Sequence, residues 1–181
     1  LAGHEIALNM AAMTFMVPLG ISGAAAAVVG RAIGRGDMPS ARRDAVAAIA
    51  CGGGVMCISG VIFMLAPEWL ATRYTTEGAT VAVAVSLIPL AGMFQVFDGL
   101  QAVTSGVLRG TGDTRVPAFL HLIAFWGIGI PLGMYLGFRT PLRERGLWMG
   151  LVAGLAAAAI LQGLRVVNRL RLDIRRVVVD H

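Results

Sequence analysis

Charge-free apolar stretches alternate along this chain with short connections rich in arginine and glycine. Five such stretches occur, over residues 6–30, 45–67, 78–108, 116–138 and 146–164, and the third is broken by a single carboxylate, Asp98. Each runs for about 19 residues or more, enough for a helix to cross a hydrocarbon core of roughly 30 Å. Barrel strands would read as segments of about ten alternating residues, so the pattern predicts helices. The expected fold is all-α: a polytopic transmembrane bundle of five spans within residues 1–170, followed by a basic tail over residues 171–181. Pro18, Pro89 and Pro131 fall inside spans, where a missing backbone donor predicts bent helices.

Composition agrees with the pattern. The 181 residues are 57% hydrophobic and 14% charged, against roughly 25% charged in a soluble domain. The net charge of +5 comes from arginine alone, and anionic headgroups account for it better than nucleic acid does. Arg31, Arg35, Arg42 and Arg43 occupy the first connection, Arg109 and Arg115 the third, and Arg165, Arg169, Arg171, Arg175 and Arg176 the carboxy-terminal end. The positive-inside rule places these on the cytoplasmic side, giving an outside start and a cytoplasmic carboxy terminus. Arg139, Arg143 and Arg145 oppose that orientation, while Trp69, Tyr74, Tyr135 and Trp148 fall near the expected outer boundary, where interfacial aromatics belong. An odd span count with an outward amino end predicts a fragment lacking at least one preceding span. Cys51 and Cys57, six residues apart within one span, predict neither a disulfide nor a metal site.

Candidate chemistry centres on Asp98. A carboxylate at bilayer depth costs about 2.5–3.5 kcal/mol on insertion scales, so it faces a partner or a watery cavity. Gln95, Asp98, Gln101 and Ser105 recur at three- and four-residue spacing and predict one polar stripe along the third span. Such a carboxylate can exchange a proton for a sodium ion or a cationic substrate; the bland alternative is a group that hydrogen-bonds a neighbouring helix. Asn9 and Thr14 are candidates for lining the same cavity or for bonding between helices. His121 is a weaker candidate for proton relay, and Met10, Met13 and Met16 read as ordinary packing. Two connections share the pattern Gly-x3-Gly-x-Gly-Asp, at Gly30-Arg-Ala-Ile-Gly34-Arg-Gly36-Asp37 and Gly106-Val-Leu-Arg-Gly110-Thr-Gly112-Asp113. Both predict glycine-capped helix ends, with a duplicated hinge as the sharper reading. Neither string has the spacing of a nucleotide-phosphate cradle.

These residues carry a resemblance. His4-Glu-Ile-Ala-Leu-Asn9, Pro18-Leu-Gly-Ile-Ser-Gly-Ala24 and Val29-Gly-Arg-Ala-Ile-Gly-Arg-Gly-Asp37 resemble the opening of the second lobe of multidrug and toxic compound extrusion (MATE) transporters. Phe94-Gln-Val-Phe-Asp98-Gly-Leu-Gln101, with Ser105-Gly-Val-Leu-Arg-Gly-Thr-Gly-Asp113, is similar to the tenth helix and following loop of the NorM-type branch. The resemblance implies an incomplete second six-helix lobe of a twelve-helix transporter, corresponding to helices eight through twelve. It implies export of cationic, amphipathic drugs and dyes in exchange for sodium ions or protons, with no other cofactor, and a missing amino-terminal lobe as partner. Asp98 matches the acid implicated in cation coupling, with Gln95 and Gln101 beside it; Phe94 stands where some members have tyrosine. Two other readings remain: a lipid-linked saccharide flippase of the wider superfamily, disfavoured because no arginine lies inside a span, and a purely structural membrane bundle. An intramembrane enzyme using His121 lacks a second catalytic partner near that histidine.

Overall fold

The computed structural model describes residues 2–171; the remainder of the expected tail, with Arg175 and Arg176, lies outside the described residues. The elements are α1 (Ala2–Gly34), α2 (Met38–Leu65), α3 (Pro67–Thr72), α4 (Gly78–Gly110), α5 (Arg115–Ala124), a π turn (Phe125–Gly129), α6 (Ile130–Arg139) and α7 (Arg143–Arg171). Among the described residues, five helical segments are long and apolar enough to span a membrane: α1, α2, α4, the continuous run from Arg115 to Arg139, and α7. The fold is all-α among the described residues, and the protein is a multi-pass membrane protein.

The spanning helices extend past one or both ends of the apolar runs that predict them. The second span begins seven residues before its apolar run, at Met38, where the Asp37 carboxylate accepts from the Ser40 amide at 3.1 Å. The Ser40 side chain, and then its amide, hold the Asp37 carboxyl below the usual carboxylate value. At its other end this span stops at Leu65 rather than Pro67. The proline opens the short helix α3, at a position where its missing N–H goes unused. In the fourth span Pro131 removes the donor that would bond the Gly127 carbonyl, and the π turn lies just ahead of it. Pro18 and Pro89 sit within unbroken helices α1 and α4.

Helix α4 is the hub, packing against α1, α2 and α7, while α5, the π turn and α6 pack chiefly on α7. One apolar cluster joins Ile6 and Met10 of α1 to Phe63, Leu87, Ile88 and Trp148. The other joins Val29, Ala41, Val107, Leu108 and Val166 at the end of the bundle that bears the two Gly-Asp turns. Small residues set the closest crossings. A Cβ at Gly110 would lie 2.8 Å from the Ala26 carbonyl oxygen and 3.0 Å from the Val29 Cβ, so α1 and α4 meet there backbone to backbone.

Candidate functional site

Asp98 sits two-thirds of the way along α4, partly buried, in a cleft of about 220 Å³ between α4 and α1. Leu8, Ala11, Ala12, Phe15 and Met16 of α1 form one wall, and Phe94, one turn before the acid, closes the other. Asp98 forms no ion pair among the described residues, nor do three or more His, Cys, Asp or Glu side chains cluster anywhere among them. The arrangement is a lone carboxylate in an apolar slot, with one acidic oxygen pair to bind a single positive charge.

The expected polar stripe is divided. Residues three apart on a helix differ by about 60° in direction, and α4 has neighbours on several sides. Gln95 is fully buried and directed between α1 and α2, where its Nε2 donates to the Ser59 hydroxyl of α2 at 3.1 Å and its Oε1 accepts from the Thr14 hydroxyl of α1. It clamps three helices and does not line the cleft. Gln101 and Ser105 are partly buried farther along α4, also outside the cleft lining, and Asn9 is exposed on α1. Of the expected cavity residues, Phe94 alone joins Asp98. Met16 lines the cleft, whereas Met10 belongs to the core.

Trp148 is 1% exposed and turned into the bundle rather than toward lipid; its indole N–H donates to His4 Nδ1 at 3.1 Å, and its ring meets Phe94 edge to face at 5.6 Å. Trp69, Tyr74 and Tyr135 are exposed, as interfacial side chains are. His121 lies in the last turn of α5, stacked on Phe125, remote from Asp98 in sequence and absent from its lining.

Further contacts between helices escaped sequence reasoning. The Arg109 guanidinium donates to the Ser22 hydroxyl at 2.8 Å, and Ser22 donates to the Ala102 carbonyl at 2.7 Å, tying α1 to α4. Gln162, fully buried, donates to the Pro117 carbonyl at 3.2 Å. Asp113 takes Arg165 at 2.8 Å and Arg169 at 3.5 Å, fastening the α4–α5 turn to α7. The available signal was a single polar residue within an apolar run for Gln162, and arginines one helical turn apart for the pair on α7.

Comparison with known proteins places this geometry in context. The family model MatE matches residues 1–135. The chain is 45% identical over 170 residues to the multidrug resistance protein NorM of Burkholderia vietnamiensis, covering 91% of this chain and 37% of that protein. It is 41% identical over 179 residues to the multidrug resistance protein PmpM of Pseudomonas aeruginosa, covering 97% and 38%. Among solved structures it matches the eukaryotic MATE transporter AtDTX14 with a TM-score of 0.86 and 28% identity, over 94% of this chain and 39% of that one. The chain thus spans less than two fifths of the length of these relatives.

Proposed function

Because this chain belongs to the MatE family, whose NorM-type members are multidrug efflux transporters and not enzymes, we propose that it supplies one lobe of a secondary active exporter in which Asp98 carries the coupling cation. The supporting observation is the position of that carboxylate: alone, within a span, in a slot whose other lining side chains are apolar. An ionised group there is costly until a positive charge or a proton neutralises it. One negative charge serves one cation at a time, so the coupling ion and a cationic substrate displace each other, and alternation between the two loadings is exchange. A proton needs nothing beyond the carboxylate, whereas a sodium ion needs further oxygens that the lining side chains lack. The cleft residues therefore favour proton exchange. The substrates are cationic, amphipathic drugs and dyes, drawn to the apolar wall by their rings and to Asp98 by their charge. The remaining length seen in the relatives supplies the opposing lobe, so this chain alone does not transport. The arginine-bearing end, with the carboxy terminus, faces the cytoplasm of a bacterium across its inner membrane.

The test is ethidium efflux from cells expressing the full-length transporter, wild type against Asp98→Asn, under imposed proton or sodium gradients. Efflux by the wild type driven by the proton gradient, falling at least tenfold in the variant at equal membrane abundance, is the expected result. Undiminished efflux by Asp98→Asn reduces Asp98 to a packing group, and efflux driven by sodium alone replaces the proton.

A further inference from the structure

A second concavity, larger than the Asp98 cleft, opens on another side of α4. It has a volume of about 850 Å³ and lies between α2 and α7, with α4 as its floor. The two walls come together only at the arginine-bearing end, where Ala41 and Ala45 pack with Val166 and Leu170. From there they diverge while both stay on α4. Val46 and Ile49 form one wall, Ile160 and Val167 the other, and Phe97 and Leu100 the floor. Gly163 also lines it, and a Cβ built there meets nothing within 4 Å, so this stretch of α7 presents open space.

The chemistry of the groove is graded from end to end. Its body is hydrocarbon apart from Thr104, whose hydroxyl bonds backbone carbonyls of α4, and its mouth carries Arg42 and Arg171. The Arg42 Nε donates to the Leu170 carbonyl of α7 at 2.7 Å. That bond fixes the guanidinium at the mouth, and its other N–H groups, which meet no acceptor among the described residues, are donors for an anion. A cationic drug is repelled by this pair, and a small soluble anion would leave the apolar body unused. An anionic head joined to a hydrocarbon chain matches both parts, and basic pockets between membrane helices bind such headgroups.

We propose that this groove is a binding site for an anionic glycerophospholipid, with the headgroup phosphate on Arg42 and Arg171 and one acyl chain laid along Phe97, Leu100 and Ile160. The site is separate from the transport cleft: Phe97 and Asp98 are adjacent in sequence, but about 100° apart around α4.

Native mass spectrometry of the purified full-length transporter tests this, with phosphatidylglycerol and phosphatidylcholine competing at equal concentration. The wild type is expected to retain phosphatidylglycerol preferentially. Arg171→Gln is expected to lower that preference about fivefold, and Arg42→Gln with Arg171→Gln further, since each arginine contributes a comparable electrostatic increment. Gly163→Leu fills the groove without a backbone clash and is expected to lower retention of both lipids. Equal ethidium efflux by wild type and variants verifies folding independently. Lipid retention indifferent to both the arginine and the Gly163 variants overturns the proposal, and means that the tail, another part of the transporter or a second copy occupies the groove.

Discussion

In the α1–α2 turn Asp37 follows Gly36, and in the α4–α5 turn Asp113 follows Gly112; the backbones of the two turns are the same while their aspartates do different work. Gly36 has φ 73° and Gly112 φ 77°. Asp37 N–H bonds the Ala32 carbonyl at 2.9 Å and Gly36 N–H bonds Ile33 at 2.9 Å; their counterparts, Asp113 to Leu108 and Gly112 to Arg109, both measure 3.0 Å. This is the Schellman closure of a helix, written twice. Asp37 stays in contact with solvent and caps the next helix through Ser40, a local task. Asp113 is 7% exposed and instead reaches α7, some fifty residues on, to hold Arg165 and Arg169. A repeated motif therefore repeats a backbone shape, and the neighbouring helix decides what its side chain contributes.

The comparison breaks most visibly at the aspartates. Asp113→Ala is expected to destabilise the protein by about 3 kcal/mol, the low end for removing one partner of a buried pair. The low end applies because Arg165 and Arg169 keep 35% and 29% side-chain exposure. Asp37→Ala loses only a helix cap and is expected to cost clearly less. Denaturant titration in detergent micelles measures both, and equal losses would mean that the α7 ion pairs contribute nothing beyond a cap.

The preceding glycines give the next largest contrast. Gly110→Ala forces α1 and α4 apart and is expected to cost about 2 kcal/mol by overpacking. Gly34 occupies the matching place in the first motif, but a Cβ there meets nothing within 4 Å. Gly34→Ala is therefore expected to stabilise, by up to about 1 kcal/mol, through helix propensity. The same titration reads both signs, and a loss at Gly34 would expose a contact outside the described residues.

The smallest effect sharpens the similarity. Gly36→Ala and Gly112→Ala have open space around the added methyl, so each is expected to cost about 1 kcal/mol for its positive φ and no more. A difference between them beyond about 0.5 kcal/mol, the usual additivity error, would show that the two turns are not conformationally equivalent.

Much of the architecture was legible because it is local. Residues 6–30 or 116–138 need only their own apolar composition to become membrane helices, since in lipid each backbone group must bond within its own segment. Gly36 and Gly112 likewise turn because glycine tolerates positive φ wherever it is placed. The site was legible only in part. Asp98 declared itself by being a charge in an apolar run, but sequence spacing grouped it with Gln95, Gln101 and Ser105 as if α4 had a single polar face. Trp148 illustrates the same gap, since its place near a span end does not say which side of α7 it occupies, and packing against His4 and Phe94 turns it inward.

The sequence by itself determined that this is a bundle of five membrane-spanning helices with two glycine-closed turns and one intramembrane acid, because each of these follows from hydrogen bonding and conformational preference within a few residues. Only the tertiary structure decided that Gln95 clamps α1 and α2 while Asp98 faces a cleft, that Asp113 pairs with α7, and that α2 and α7 part to form a groove. Those outcomes depend on which side of α4 each neighbour occupies. That arrangement is set by packing between segments far apart in the chain, to which no local periodicity refers.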